Sequence, residues 1–168
     1  MFIIDFAVYV KIYTDPKGDT AMSIIKIATN FSLSDGEKIA LKGDAGNYNY
    51  LSRQGADDLW FSKPEPDQFC FFEVTVLKGD QIALKTDAGR YWSRSGAENI
   101  KANKTAIDQW CKWTVKGIVW NPSKDEHLIA LQEPDHGKFL SRWGEHEIKA
   151  VKEGIDIFCL LRVTRLVG

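Results

Sequence analysis

Apolar residues fall along this chain in short alternating runs rich in β-branched and aromatic types, and Gly, Asp, Asn and Pro clusters interrupt them about every ten residues. A period of two puts alternate side chains on opposite faces of a strand, so each run predicts one short strand with an inner and an outer face. A helical reading fits poorly. No window of about a dozen residues carries an i, i+3, i+4, i+7 stripe free of Gly or Pro, and low helix content is expected.

The runs also repeat. Ile39-Ala40-Leu41-Lys42 recurs as Ile82-Ala83-Leu84-Lys85 and as Ile129-Ala130-Leu131-Gln132, at spacings of 43 and 47 residues. Each copy is followed by a small polar turn holding Gly46, Gly89 or Gly137, then an aromatic (Tyr50, Tyr91, Phe139), then Ser52-Arg53, Ser93-Arg94 or Ser141-Arg142. Gly55, Gly96 and Gly144 come two residues after each Arg, and Cys70, Cys111 and Cys159 come 18 residues after each Ser. The three cysteines are therefore equivalents within one repeat. Four short strands per repeat, in repeats of about 37–80, 81–127 and 128–168, predict an all-β chain. The architecture expected is a β-trefoil of three four-strand repeats over residues 36–168, since propellers usually want at least four blades and open solenoids need caps.

Residues 1–35 precede the repeats and predict an N-terminal β-hairpin-like extension. Phe6, Val8, Val10 and Ile12 alternate with Ala7, Tyr9, Lys11 and Tyr13, Asp15-Pro16-Lys17-Gly18-Asp19 supplies turn chemistry, and Ser23-Ile24-Ile25-Lys26-Ile27 extends again. An apolar edge carrying Phe2 and Phe6 needs a cover, so the extension either packs on its own domain or forms part of a homodimer interface.

Composition narrows the function. With 22 basic and 23 acidic side chains the formal net charge is −1, and nothing pulls the chain toward nucleic acid. The 44% apolar content of 168 residues is enough for one domain to bury a core. Three cysteines without a CxxC pair read as reduced, buried thiols rather than a disulfide framework or zinc site. The opening run MFIIDFAVYV is broken by Asp5 and followed by Lys11, short of the roughly 20 residues of a membrane span. A soluble, cytoplasmic protein without a membrane span, metal or cofactor is the expectation. Scattered His127, His136 and His146, and the lack of a repeated nucleophile partner, argue against an enzyme.

The strand motifs are similar to trefoil repeats of the fascin and hisactophilin type, and more closely resemble the amaranthin-like agglutinin domain of plants, also found fused to aerolysin-like modules. The residues concerned are Asp58-Leu59-Trp60-Phe61-Ser62 with Phe72-Glu73-Val74, Lys85 through Ser95, Leu128 through Gln132, and Gly137-Lys138-Phe139, a likeness covering residues 37–168. It implies a lectin for galactose or N-acetylgalactosamine on glycans or glycoproteins, in some members a head-to-tail dimer with the sugar between subunits. Where that family has an aromatic, Asn-Pro rich loop, this chain has Ser95-Gly96-Ala97-Glu98-Asn99-Ile100.

A sugar site needs an aromatic platform and a few fixed polar groups. Leu59, Ile100 and Ile148 are equivalent inward positions, so the next residue points outward, and it is Trp60 in one repeat but Lys101 and Lys149 in the others. Trp60 is a sugar platform or a cover for the N-terminal hairpin. Trp143 stands where the other repeats carry Gln54 and Ser95, and its neighbours Glu145, His146 and Glu147 could accept hydroxyl hydrogen bonds. Glu98 and Asn99 are further polar candidates. Trp92 replaces Leu51 and Leu140 and predicts core, as do Trp110 and Trp113 at the positions of Phe69 and Phe72. Arg94, with Arg53 and Arg142, could bind an acidic sugar or tie down its own turn, and Asp67, Asp108 and Asp156 predict turn caps. The alternative function, actin binding or cross-linking, would rest on Lys101, Lys104, Lys149 and Lys152.

Overall fold

The computed structural model describes residues 9–14, 20–25, 33–43, 49–120 and 126–166, with side chains over 33–43, 49–116 and 128–166. Two strands, β1 (Tyr9–Thr14) and β2 (Thr20–Ile25), pair antiparallel as a sheet of their own. Phe2, Phe6, Val8, the Asp15–Asp19 turn and Gly46 lie outside the described residues, as do the side chains of Val10 and Ile12.

Twelve further strands form one hydrogen-bonded sheet, and each sequence repeat supplies four of them. They are β3 (Lys38–Gly43), β4 (Tyr50–Gln54), β5 (Asp58–Lys63), β6 (Phe72–Val76), β7 (Gln81–Lys85), β8 (Tyr91–Ser95), β9 (Asn99–Lys104), β10 (Trp113–Trp120), β11 (Glu126–Gln132), β12 (Phe139–Trp143), β13 (Glu147–Lys152) and β14 (Leu161–Arg165). The all-β expectation stands, but the β-trefoil of three four-strand repeats is corrected to a closed antiparallel β-barrel. Pairing runs across the repeat boundaries: β14 joins β3, β6 joins β7, β10 joins β11, and β13 joins both β5 and β9. The strands satisfy their backbone groups only as a continuous sheet, and closure leaves few edges exposed. Among the described residues no helix is long and apolar enough to cross a membrane.

The Ile-Ala-Leu runs are apolar at consecutive positions because both faces of their strands are covered. Ile129 and Leu131 enter the main core with Leu51, Phe72, Trp92 and Trp113, whereas Leu128 and Ala130 face a second cluster with Phe139, Cys159 and Leu160. Trp92 meets Phe72 edge to face at 4.8 Å, the arrangement favoured by the charge distribution of aromatic rings. Three single-turn 3-10 helices, Gln68–Cys70, Gln109–Cys111 and Ile157–Cys159, lead into β6, after β9 toward β10, and into β14. Asp67, Asp108 and Asp156 cap them, each Oδ1 accepting a backbone N–H at 3.0 Å from Phe69, Trp110 or Phe158. The same oxygens lie 3.3–3.4 Å from the cysteine sulfurs, and Lys63, Lys104 and Lys152 pair with the caps at 2.9–3.0 Å. All three cysteines are free and buried, and burial pushes the Cys159 thiol up to about 11.

One core assignment is corrected. Trp113 and Phe72 are buried, but Trp110 and Phe69 are only half-buried and Phe158 is exposed. Within each 3-10 turn the cysteine takes the inward direction, and the aromatic lies outside it beneath an arginine: Arg53 on Phe69 at 5.0 Å, Arg94 on Trp110 at 4.4 Å and Arg142 on Phe158 at 5.4 Å.

Candidate functional site

Three tight turns gather at one end of the barrel. Gly55, Gly96 and Gly144 open them with φ of 57°, 69° and 61°, a left-handed conformation that L-residues enter only with strain. The last residue of each turn accepts a hydrogen bond from a neighbouring strand: Asp57 O from Ala102 N at 2.7 Å, Glu98 O from Ala150 N at 2.8 Å, and His146 O from Phe61 N at 2.8 Å. The hairpins β4–β5, β8–β9 and β12–β13 are thereby locked together in a ring, each leaning on the next.

At each junction three side chains stand in a row across adjacent strands, because directly paired residues project from the same face. Gln54 is paired with Asp58, and Lys101 reaches Asp58 in an ion pair. Ser95 is paired with Asn99, and Asn99 with Lys149. The third row differs in kind: Trp143 is paired with Glu147, and Glu147 with Trp60. Two polar rows and one aromatic row thus occupy equivalent places.

Both indoles of the third row are open to solvent, Trp60 at 39% and Trp143 at 47%. His146 lies against Trp60 with ring centroids 4.9 Å apart and planes tilted by 43°. Lys149 sits over Trp143 at 5.8 Å and within 3.7 Å of a Glu147 oxygen. The carboxylate between the rings can accept hydroxyl protons, and each indole can stack on the C–H face of a sugar. Nothing else among the described exposed large hydrophobics combines two rings on paired strands with a polar group between them; Phe158 lies under Arg142, and Leu166 is a lone aliphatic side chain.

Of the residues singled out in the sequence, Trp60, Trp143 and His146 come to this junction, while Glu145 is an exposed residue of the turn between β12 and β13. Glu98 and Asn99 belong to the adjacent one, where Asn99 faces Lys149. Arg94 is engaged internally: its side chain is 8% exposed, it donates to Gly96 O at 2.6 Å and Asp135 at 3.1 Å, and Nε lies 3.4 Å from the Glu133 carboxylate. Glu133, 1% exposed, accepts from the backbone N–H groups of Asp135 and His136 at 3.0 and 2.6 Å, a turn-organising role the sequence did not reveal. Arg53 is held in the same manner by Asp87 through two bonds of 2.7 and 2.9 Å, and the guanidinium keeps the Asp87 carboxyl below the usual carboxylate range. The central position of Glu147 was hidden as well, since only strand pairing places it between two tryptophans far apart in sequence.

The basic patch needed for actin binding is neutralised locally. Lys101 pairs with Asp58, Lys104 with Asp108, Lys149 with Glu147 and Lys152 with Asp156. Each ammonium already faces a carboxylate, so these lysines offer little field to an acidic filament.

No protein-family model matches the chain and no curated protein matches it significantly, so the likeness to amaranthin-like agglutinins rests on the quoted strand motifs alone.

Proposed function

We propose that the protein is a non-catalytic carbohydrate-binding protein whose site is the row Trp60–Glu147–Trp143, with galactose- or N-acetylgalactosamine-containing glycans as the first ligands to examine. The observation behind this reading is the register that sets an exposed carboxylate between two exposed indoles, where the equivalent rows are polar. Indoles supply flat apolar area at small entropic cost, and a fixed carboxylate discriminates hydroxyl directions. A fully covered aromatic side chain buries about 150–250 Å², so covering the exposed parts of both rings is worth a few kcal/mol. That corresponds to single-site dissociation constants of roughly millimolar to tens of micromolar, and useful avidity then comes from multivalent display.

A glycan array probed with the protein in multivalent form tests the reading. Retention on galactose- or N-acetylgalactosamine-terminated glycans, abolished by the double substitution Trp60→Ala and Trp143→Ala in a folded variant, supports it. Silence across neutral and acidic glycans at high density rejects it.

A further inference from the structure

Trp60, Glu147 and Trp143 occupy three neighbouring strands, β5, β13 and β12, at paired positions. Adjacent strands lie about 4.8 Å apart, so the two indoles are anchored about 10 Å from each other with the carboxylate midway. One pyranose ring is shorter than that span and can stack on only one of the two indoles. Two linked rings cover it, and their linkage then passes over Glu147. Resting on the carbohydrate-binding reading, we infer that the site takes an oligosaccharide of at least two linked units laid across the strands, one ring to each indole, and that it is complete within one protomer.

The charges around the row agree with a neutral chain. Glu147 stands at its centre, and Lys149, the ammonium over the Trp143 ring, is already within reach of Glu147. A hydroxyl or acetamido group near the linkage finds a carboxylate acceptor, whereas a sugar carboxylate there meets like charge. Each tryptophan has an internal neighbour, His146 or Lys149, that limits its swing and leaves the rest of the ring to the ligand.

Tryptophan fluorescence and indole N–H resonances of the full chain should be titrated with galactose, with the disaccharide N-acetyllactosamine, and with the tetrasaccharide of two N-acetyllactosamine units. Affinity should rise about tenfold from the monosaccharide to the longer ligands. Trp60→Ala and Trp143→Ala should each remove that gain, and Glu147→Gln, which keeps the shape, should weaken only the longer ligands. Unfolding midpoints of the variants close to that of the parent exclude loss of fold. Equal affinity for all three ligands, or a gain untouched by one tryptophan substitution, overturns the two-ring mode while carbohydrate binding stands. Absence of any response to every ligand overturns both.

Discussion

The guanidinium of Arg94 lies 4.4 Å from the centre of the Trp110 ring and reaches the acidic pair Glu133 and Asp135 through Nε at 3.4 Å and Nη2 at 3.1 Å. An arginine of this kind recurs in every repeat, each donating to the carbonyl of Gly55, Gly96 or Gly144. The arginine is thus a clamp between its own turn, the aromatic of its own 3-10 turn, and, for Arg53 and Arg94, the loop of the next repeat. Threefold recurrence of Ser-Arg in the sequence reflects this structural duty.

Arg94→Ala should destabilise the fold by about 3 kcal/mol, because it leaves the buried Glu133 without its cation. Arg94→Lys restores charge but neither the fork nor the stacking, and should recover only part of that loss. Urea unfolding of both variants measures the difference. A cost under about 1 kcal/mol for Arg94→Ala, the level of an exposed ion pair, would show that the clamp contributes little.

Acid should unfold the barrel through its paired aspartates. Arg53 holds the Asp87 carboxyl down, and Lys63 does the same for Asp67. A folded value below the unfolded one means stabilisation that is complete above the ordinary aspartate value of about 3.9 and is lost as pH falls through the lower folded values. Urea midpoints recorded from about pH 7 to about pH 2 should therefore drop mainly below about pH 4. Asp87→Asn should lower stability at neutral pH and flatten the acid slope; an unchanged slope would place the acid sensitivity elsewhere.

The three thiols should be silent in the folded protein. Each is buried, and burial raises Cys70 and Cys111 above the ordinary thiol value and Cys159 to about 11. Because the thiolate is the nucleophile, a disulfide reagent at about pH 8 should find no fast-reacting group until urea is added, and then all three. A single rapidly modified cysteine in the native protein would mark a local opening of its 3-10 turn.

Much of this architecture is legible in spacing. The Ile-Ala-Leu runs, the Ser-Arg pairs, the turn glycines and the Asp-x-x-Cys segments recur because each performs the same local task three times, and local tasks leave periodic traces. Barrel closure does not. Whether β13 pairs with β5 and β9, or β14 with β3, is decided by contacts between residues far apart in the chain, which no single repeat records. Trp110 departs from the expected core place for a related reason: its position in the repeat looks apolar, but it lies half-buried under Arg94 outside the 3-10 turn. Trp60 and Trp143 stood out by breaking the repeat, yet they belong to different repeats. Only the Trp60–Glu147–Trp143 register makes them one site.

That register offers a substitution that separates binding from folding. In the equivalent row Lys101 occupies the place of Trp60 and pairs with Asp58, the counterpart of Glu147. Trp60→Lys should let the new ammonium meet Glu147 in the same manner, its methylene stem covering part of the strand that the indole covered. Stability should change by no more than about 0.5 kcal/mol, as for ordinary surface substitutions, since the indole is 39% exposed and an exposed ion pair adds little. The gain of about tenfold shown by the longer glycans over a single sugar should be lost, because only the Trp143 ring remains. Paired urea unfolding and array measurements on this variant decide the matter. A fall in stability of more than about 1.5 kcal/mol would assign Trp60 to packing, and an undiminished preference for the longer glycans would remove Trp60 from the site.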